Sequence, residues 1–437
     1  MEIISPAMLG IIGLVFLLIL MFAGVPIGFV FGFVGLTGLA LMIGIKPAVS
    51  LLGTIAYNQI ANYTWTVLPL FMLMGQIAGD AGLTGDAYYA ARKWIGKTRG
   101  GLCYATIGAS TMFAAVSGSQ LASSVTMTKI AWPEMKKYGY ESSISLGSII
   151  CAGTLANLIP PSIPMVIYGM IAEESIGSLF IAGLLPGLLT AVLMMISMYI
   201  VCIFKPSLAP KGPSSTWPEK LKALKKVWSI LLLVIFIMGS IWGGICTPTE
   251  AAGVGVLGTV IIGIAKKGLS WKILWEAIGE VVTLSGSIFI LFITLQVFNS
   301  FMSVTQLPQS LAGWIIGMDV SPRMILVIIL FIYLILGIPL DLPPLLILTL
   351  PIFLPVLKAL GIDILWFGVL STIAVGLSFI TPPVGGPMFV IHGLVRDEGV
   401  SLASIFVGCT IFCVPVTLAL ILCVIFPGLS TWLPGIM

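Results

Sequence analysis

Charged residues are scarce in this chain. Only 8% of its 437 residues are Asp, Glu, Lys or Arg, whereas 59% are hydrophobic. A soluble domain needs about a quarter of its residues charged to cover its surface. This deficit excludes an ordinary soluble protein. A lipid bilayer accommodates so much apolar surface, so the sequence predicts a membrane protein.

Histidine and paired cysteines are also lacking. The chain has one histidine, His392, and its seven cysteines form no CxxC pair. The spacing of these residues matches neither a metal centre nor a disulfide framework. We therefore expect free thiols that pack as small apolar groups. The N-terminus has neither a basic segment nor a clear cleavage site, so we expect the first apolar run to be a retained span.

Long apolar runs fill most of the chain. A transmembrane helix needs about 20 consecutive apolar residues. Runs near that length predict an all-α polytopic protein with about ten transmembrane segments, at residues 7–24, 26–44, 64–80, 142–171, 176–204, 227–246, 250–265, 282–300, 364–394 and 400–428.

Two further runs, 101–132 and 323–356, are interrupted near their middle. The first contains Ser117-Gly118-Ser119 and the second contains a proline-rich break at 339–344. Each half is too short to span in this interpretation, so we predict two re-entrant helical hairpins. Irregular backbone at membrane depth is tolerated only where it is buried in protein or lines a wet cavity.

Basic residues predict the orientation. With the N-terminus outside, all but three of the 20 Lys and Arg residues fall on the cytoplasmic side, the exceptions being Lys46, Arg323 and Lys358. Cytoplasmic loops carry this excess in membrane proteins. We therefore expect a multi-pass protein of the bacterial inner membrane, with both termini periplasmic.

The two halves of the chain resemble each other at an offset of 222 residues. Pro133–Tyr140 aligns with Pro355–Ile362, and Leu158–Pro161 aligns with Ile380–Pro383. Five predicted crossings, an odd number, separate matched positions, so the two copies are expected to be inverted. Inverted repeats with discontinuous helices are typical of secondary transporters.

This layout predicts five regions. We expect a scaffold of N-terminal spans with an amphipathic arm, two halves of a transport domain that each hold a hairpin and a broken helix, a middle scaffold with a cytoplasmic linker at 205–226, and a C-terminal scaffold span. Their ranges are 1–100 for the N-terminal scaffold, 101–175 and 323–399 for the transport domain, 176–322 for the middle scaffold and 400–437 for the last span.

Prolines break the predicted helices beside polar residues. Such breaks free backbone carbonyls, and carbonyl and hydroxyl oxygens suit Na⁺, so two quasi-equivalent Na⁺ sites are predicted. The polar candidates are Ser117, Ser119, Ser123, Ser124, Thr154, Asn157, Ser162, Asp341, Ser378 and Thr381. Asp341 is an ionisable residue at predicted membrane depth, where it would ligate Na⁺, carry a coupling proton or cap the following helix.

These motifs resemble the large membrane subunit of tripartite ATP-independent periplasmic (TRAP) transporters. The resemblance covers essentially the whole chain and is carried by Gly118-Ser119, Ile130–Met135, Gly153–Met165, Gly177–Gly187 and Thr381–Gly385. It implies an elevator-type member of the ion-transporter superfamily, in which Na⁺ drives uptake of a small organic acid such as a C4-dicarboxylate or a sialic acid.

The resemblance also implies partners and sites. A periplasmic substrate-binding protein would deliver the acid, and a small four-helix membrane subunit, expected here as a separate chain, would complete the scaffold. The first Na⁺ site would fall on Ser117, Ser119, Ala156, Ile159 and Pro161, and the second on Asp341, Ser378, Thr381 and Pro383. Relatives are expected to have Gly where this chain has Ala156. Substrate would lie near Ser123, Asn157, Ser162, Gly385 and Gly386.

Three alternatives remain at this point. A stand-alone divalent-anion/Na⁺ symporter with similar architecture would work without a binding protein. An intramembrane serine protease would use Ser117 and His392, but the two residues lie in opposite repeats. A channel would conduct without a partner protein. Na⁺ is the only cofactor expected, and no enzymatic activity is predicted.

Overall fold

The computed structural model describes residues 5–317, 320–338, 340, 342–383 and 385–436. Within these ranges the protein consists of twenty α-helices and three short 3-10 helices. The described ranges contain one isolated β-bridge, between Arg99 and Lys211. The predicted all-α class is confirmed.

Ten helices form the first half of the chain: α1 Pro6–Phe22, α2 Ile27–Ile43, α3 Ile45–Ala61, α4 Val67–Asp80, α5 Leu83–Ile95, α6 Gly101–Ser117, α7 Gln120–Lys137, α8 Ser142–Ala152, α9 Ile163–Ala172 and α10 Ile176–Phe204. Ten more follow: α11 Trp217–Trp242, α12 Pro248–Ala265, α13 Trp271–Thr305, α14 Leu307–Gly317, α15 Pro322–Leu336, α16 Leu342–Ala359, α17 Ile364–Ser378, α18 Gly386–Val395, α19 Leu402–Ile425 and α20 Gly428–Ile436. The 3-10 helices are Tyr63–Thr66, Gly153–Asn157 and Arg396–Glu398.

Polar residues define helix starts in this apolar sequence. The Thr247 N–H donates to Glu250 Oε2 at 2.8 Å, and the Glu250 N–H donates to Thr247 Oγ1 at 3.3 Å. This reciprocal pair satisfies two backbone N–H groups that the first turn of α12 would leave open. Ser119 and Ser162 cap α7 and α9 through one hydrogen bond each. The serines near the helix interruptions therefore also set where the following helices begin.

Six described helices are long and apolar enough to cross a membrane: α10, α11, α12, α13, α16 and α19. A bent pair, Tyr63–Asp80 with Leu83–Ile95, would make a seventh. The protein is therefore a multi-pass membrane protein, but the predicted count of about ten spans is not confirmed. The 18-residue α16 is among the six, so the expectation that each arm of the second interrupted run is too short to span does not hold for this arm.

The two halves of the chain show the same order of helices and breaks. In the first half α6, α7 and α8 precede a break and α9, and in the second half α15, α16 and α17 precede a break and α18. Lys137 and Ala359, which end α7 and α16, are 222 positions apart, as are Ser142 and Ile364, which begin α8 and α17. The peptide bonds Pro160–Pro161 and Pro382–Pro383 are both cis. The internal repeat read from the sequence thus appears in the helix boundaries.

The chain forms two compact units. The first comprises Met1–Thr66, Glu280–Ile329 and Pro343–Ile364. Within it α2 and α13 pack closely, because a Cβ at Gly35 would lie 2.7 Å from the Phe298 backbone nitrogen. The ring of Trp65 also packs against Phe292, with centroids 4.0 Å apart.

The second unit comprises Val67–Gly279, Leu330–Leu342 and Leu365–Met437. It holds both breaks and the first interrupted run, and therefore every described candidate site residue. The predicted division into five regions stays a prediction.

The predicted linker is partly helical. Residues 205–216, which we call the strap, lie between α10 and α11, whereas 217–226 form the first turns of α11. The Gly100 N–H donates to the Ala209 carbonyl at 3.1 Å, and the Glu141 N–H donates to the Leu208 carbonyl at 3.0 Å. The Gly212 N–H donates to the Gly96 carbonyl at 3.0 Å. The strap is therefore bonded to the start of α6 and to the start of α8.

Candidate functional site

The first interrupted run turns at a tip of two residues, Gly118 and Ser119. Gly118 has φ 60°, a left-handed conformation that side chains with a Cβ rarely adopt. Ser117 Oγ donates to the Ser119 carbonyl at 3.4 Å, and Ser119 Oγ accepts from the Ala122 N–H at 3.4 Å. A hydroxyl that donates keeps its lone pairs, so Ser117 Oγ still has acceptor capacity for a cation.

This tip lies directly on the first break. The Ile163 N–H donates to the Gly118 carbonyl at 3.2 Å. A Cβ at Gly118 would lie 2.6 Å from the Pro161 carbonyl oxygen. Only glycine permits so close an approach of the two backbones. The structure thereby brings together Ser117, Ser119 and Pro161, three residues assigned to the first Na⁺ site.

The first break leaves backbone carbonyls without their helical donors. A continuous helix would need N–H groups at three positions that are proline here, Pro160, Pro161 and Pro164. Their partners would be the carbonyls of Ala156, Asn157 and Pro160. The Asn157 carbonyl instead accepts from Ser162 Oγ at 2.6 Å, and the Ile159 N–H bonds to the Leu155 carbonyl at 2.9 Å. The carbonyls of Ala156 and Pro160 thus lose the N–H donors of a regular helix.

The second break repeats this chemistry. Prolines at 382, 383 and 387 remove the N–H groups that a continuous helix would direct to residues 378, 379 and 383. Ser378 Oγ donates to the Val375 carbonyl at 2.8 Å, and Thr381 Oγ1 donates to the Leu377 carbonyl at 2.7 Å. Ser378 is buried, Thr381 is half-buried and Pro383 is exposed.

The second interrupted run also contacts its break. A Cβ at Gly337, just after α15, would lie 2.8 Å from the Cβ of Ser378. Pro339, Asp341 and Val384 lie outside the described residues. The assignment of Asp341 to a Na⁺ site therefore remains a prediction from the sequence.

The tentative substrate residues lie at both breaks, with Ser123, Asn157 and Ser162 at the first and Gly385 and Gly386 at the second. Ser162 is already engaged, because its Oγ donates to the Asn157 carbonyl and also accepts from the Met165 N–H at 3.3 Å. Gly385 and Gly386 pack within their own break, since Cβ atoms there would lie 2.7 Å from the Phe379 carbonyl oxygen and 2.8 Å from the Phe379 ring. Ser123 and Asn157 are buried on α7 and at the first break.

Two residues that sequence reasoning missed complete this region. Asn157 Nδ2 donates to Gln120 Oε1 at 2.6 Å. A Cβ at Gly376 on α17 would lie 2.8 Å from the same Nδ2 atom. Asn157 thus connects α7, the first break and α17. Two features of the sequence could have identified them. Gln120 follows the tip directly, and Gly376 is a glycine inside an apolar helix.

The site is electrically neutral in its described part. No charged residue occurs at 117–124, 153–165 or 376–383. A cation there would be held by oxygen dipoles, for which serine hydroxyls and freed carbonyls are suitable groups.

An ion pair lies at the far end of α7 from the tip. Lys136 Nζ and Trp132 Nε1 donate to Glu398 Oε2 at 2.8 and 3.0 Å. The hydrogen bond from Lys136, with a smaller contribution from Trp132, lowers the pKa of Glu398 below its usual range. This carboxylate therefore stays ionised at neutral pH and ties α7 to the turn after α18.

Paired helix breaks in a multi-pass, all-helical protein define the class as a membrane transport protein. The family model described as "Tripartite ATP-independent periplasmic transporter, DctM component" matches residues 14–429. The chain belongs to this family of TRAP transporter large permease proteins.

Two named relatives are similar to this chain in sequence over most of their length. The sialic acid TRAP transporter large permease protein SiaM of Vibrio cholerae is 32% identical over 419 residues, which are 95% of this chain and 96% of the relative. The C4-dicarboxylate TRAP transporter large permease protein DctM of Pseudomonas aeruginosa is 32% identical over 365 residues, 82% and 83% of the two chains. The relatives are transport permeases, which weighs against the protease alternative.

Two solved structures share the fold. The YdaH transporter of Alcanivorax borkumensis matches with a TM-score of 0.66 at 13% identity, covering 98% of this chain and 99% of that one. MtrF of Neisseria gonorrhoeae matches with a TM-score of 0.60 at 13% identity, covering 97% and 95%. At this identity the likeness concerns the fold alone.

Proposed function

We propose that this chain is the translocating subunit of a Na⁺-coupled system for uptake of a small organic acid. A periplasmic substrate-binding protein delivers the acid, and a small four-helix membrane subunit completes the scaffold. The relatives' names, sialic acid and C4-dicarboxylate transporters, support a carboxylated substrate.

The contact between the first tip and the first break carries the proposal. Gly118 joins the hydroxyl groups of Ser117 and Ser119 to the carbonyl-rich segment that ends at Pro161. Na⁺ prefers such oxygen ligands. The surrounding segments 117–124, 153–165 and 376–383 contain no Lys or Arg side chain that would compete with it. Matching chemistry at Ser378 and Thr381 supports a second, quasi-equivalent site.

The proposed mechanism is an elevator movement. The two interrupted runs with their broken helices act as re-entrant hairpins of an inverted repeat, and they carry substrate and Na⁺ past a scaffold. Two similar halves of opposite orientation provide outward- and inward-facing states of similar free energy. The repeated order of helices and breaks in the two halves supports this mechanism.

Reconstitution tests the tripartite function. In proteoliposomes that contain this chain, the small subunit and the binding protein, an inward Na⁺ gradient should drive uptake of succinate or N-acetylneuraminate. A K⁺ gradient of equal size should not. The chain alone should not transport, because its partners are absent. Robust uptake by the isolated chain would favour the stand-alone symporter and refute the tripartite proposal.

Serine substitutions test the first Na⁺ site. Ser117→Ala removes one proposed ligand and should raise the Na⁺ concentration for half-maximal uptake by at least about tenfold, equivalent to about 1.4 kcal/mol. Ser110→Ala is the matched control, because Ser110 is also buried on α6 and lies two turns earlier on the same face. Equal Na⁺ dependence of the two variants would reject the first site. The second site is tested by Asp341→Ala, which should abolish uptake, against Asp397→Ala, which should not.

A further inference from the structure

The first turn of α7 contains two buried polar atoms without a hydrogen-bond partner. They are Gln120 Nε2 and Ser123 Oγ. The two residues are 5% and 0% exposed. Buried polar groups in folded proteins nearly always have a partner, so an unpaired pair beside a candidate binding site indicates a ligand that completes it.

The orientation of Gln120 is set by Asn157. Asn157 Nδ2 donates to Gln120 Oε1 at 2.6 Å, which occupies the acceptor end of the glutamine amide. The donor end, Nε2, is the end left without a partner. Ser123 lies three positions further along α7 and therefore on the same helix face. The two residues with unpaired polar atoms thus lie on one face of α7, next to the tip.

Asn157 is itself held in place. A Cβ at Gly376 would lie 2.8 Å from Asn157 Nδ2, so the backbone of α17 closes one side of the amide. Any side chain at 376 would push Asn157 off Gln120. The second half of the repeat therefore supports the position of a group in the first half.

We propose that Gln120 Nε2 and Ser123 Oγ bind a carboxylate group of the transported acid, and that Asn157 is a positioning residue that turns the Gln120 amide toward it. The inference rests on the proposed function and deepens it. An amide N–H cannot ligate Na⁺, so Gln120 Nε2 needs a hydrogen-bond acceptor, and a carboxylate oxygen is a strong acceptor. The positive end of α7, which begins here under the Ser119 cap, also favours an anion.

Two roles are thereby separated at one tip. The hydroxyl of Ser117 and the freed carbonyls offer lone pairs to a cation, whereas Gln120 and Ser123 offer hydrogen-bond donors to an anion. Asn157 has no direct substrate role in this arrangement, because its amide is already committed to Gln120.

Binding measurements on the purified full-length chain test the proposal. The probes are succinate and N-acetylneuraminate, and the readout is the carboxylate concentration that half-maximally raises the melting temperature at saturating Na⁺. Gln120→Glu keeps the side-chain shape and the acceptor for Asn157 but replaces the donor with a negative charge. It should raise the half-maximal carboxylate concentration by at least about tenfold, while the Na⁺ concentration for half-maximal stabilisation should not rise, because a negative charge near the proposed Na⁺ site attracts the cation.

Ser123→Ala guards against a folding artefact. Removing an unpaired buried hydroxyl should leave the melting temperature unchanged or higher, yet carboxylate binding should weaken. Ser110→Ala is the matched control, because Ser110 Oγ is also buried and unpaired but lies in α6. It should share the effect on melting temperature and leave carboxylate binding unchanged.

A discrimination test separates recognition from structure. The monoamide of succinate should lose less affinity in Gln120→Glu than succinate does, because its uncharged amide end can donate to the new carboxylate, whereas either end of succinate is repelled by it. Unchanged carboxylate binding in both Gln120→Glu and Ser123→Ala would overturn the inference, and would mean that water satisfies these atoms. If the wild-type complex takes up neither acid, the proposed function fails as well. If uptake is normal and only the variants show no effect, the carboxylate subsite alone is wrong.

Discussion

Gly75 is the point at which α4 touches the first tip. A Cβ at this position would lie 2.8 Å from the Ser117 carbonyl oxygen and 2.9 Å from the Ser117 Cα atom. Real Cβ atoms do not approach backbone so closely, so any larger residue would move α4 or the tip. The lack of a side chain at Gly75 thus allows α4 to pack closely against Ser117, a candidate Na⁺ ligand.

We therefore expect Gly75→Ala to lower stability by about 1–3 kcal/mol, the usual cost of forcing extra volume into a packed interior. Thermal unfolding in lipid nanodiscs measures this change. Gly253→Ala on α12 is the control, because a Cβ there meets nothing within 4 Å. The control should be neutral or stabilising by up to about 1 kcal/mol, as expected for Gly→Ala inside a helix. Equal melting temperatures of the two variants would contradict the close contact.

At the level of residues, sequence reasoning identified groups whose chemistry is evident from composition. Ser117, Ser119 and Pro161 were singled out because hydroxyls and prolines stand out in apolar segments, and the structure places Gly118, between the two serines, against Pro161. Their role as Na⁺ ligands stays a prediction. Gln120 and Gly376 were missed because their importance depends on one partner, Asn157, which is 37 and 219 positions away. A hydrogen bond or a close approach across such distances leaves no local pattern.

The strap is the element whose interpretation changes most. The sequence predicts a cytoplasmic linker here, yet the backbone of the strap bonds to Gly96, Gly100 and Glu141. These positions begin or precede α6, which leads into the first tip, and α8, which follows α7. The strap therefore restrains the base of the first interrupted run.

Substitution of Gly212 tests this restraint. A Cβ there would lie 2.7 Å from the Gly96 carbonyl oxygen, so Gly212→Val should displace the strap. Hydrogen exchange followed by mass spectrometry should then show faster exchange in peptides that contain Gly100 and Glu141, since both amides lose their acceptors. Ser214→Ala, an exposed position in the same segment, should leave the exchange unchanged. Faster exchange in neither peptide would show that the strap bonds do not restrain α6 and α8.

The arrangement of elements was partly predictable. The tip at Gly118 and the two breaks were anticipated, because glycine and proline interrupt helices by local stereochemistry. The helical start of α11 inside the predicted linker was not, since a basic amphipathic segment has no strong local signal for either state. The length of α16 likewise exceeds what its prolines suggested.

For the whole molecule, the orientation in the membrane is the main open prediction. Basic residues place 205–226 in the cytoplasm and both termini outside. Alkaline phosphatase, which is active only outside the cytoplasm, should be active when fused after Lys46 or Ile436 and inactive when fused after Pro213. Fluorescent-protein fusions at the same points should give the opposite pattern. Activity after Pro213 would invert the predicted topology.

The sequence alone determined the class of the protein. Scarce charge, abundant apolar residues, a repeat at a fixed offset and proline-broken helices follow from composition and local stereochemistry, and they indicated a membrane transporter. The TRAP family was indicated separately, by the resemblance of particular motifs. Tertiary structure decided which of the candidate oxygens and amides meet. The tip of the first interrupted run contacts Pro161 and Ile163, Asn157 donates to Gln120, and α17 packs against Asn157. The sequence could not predict these contacts, because they join residues far apart in the chain and do not follow from the conformational preference of any single residue.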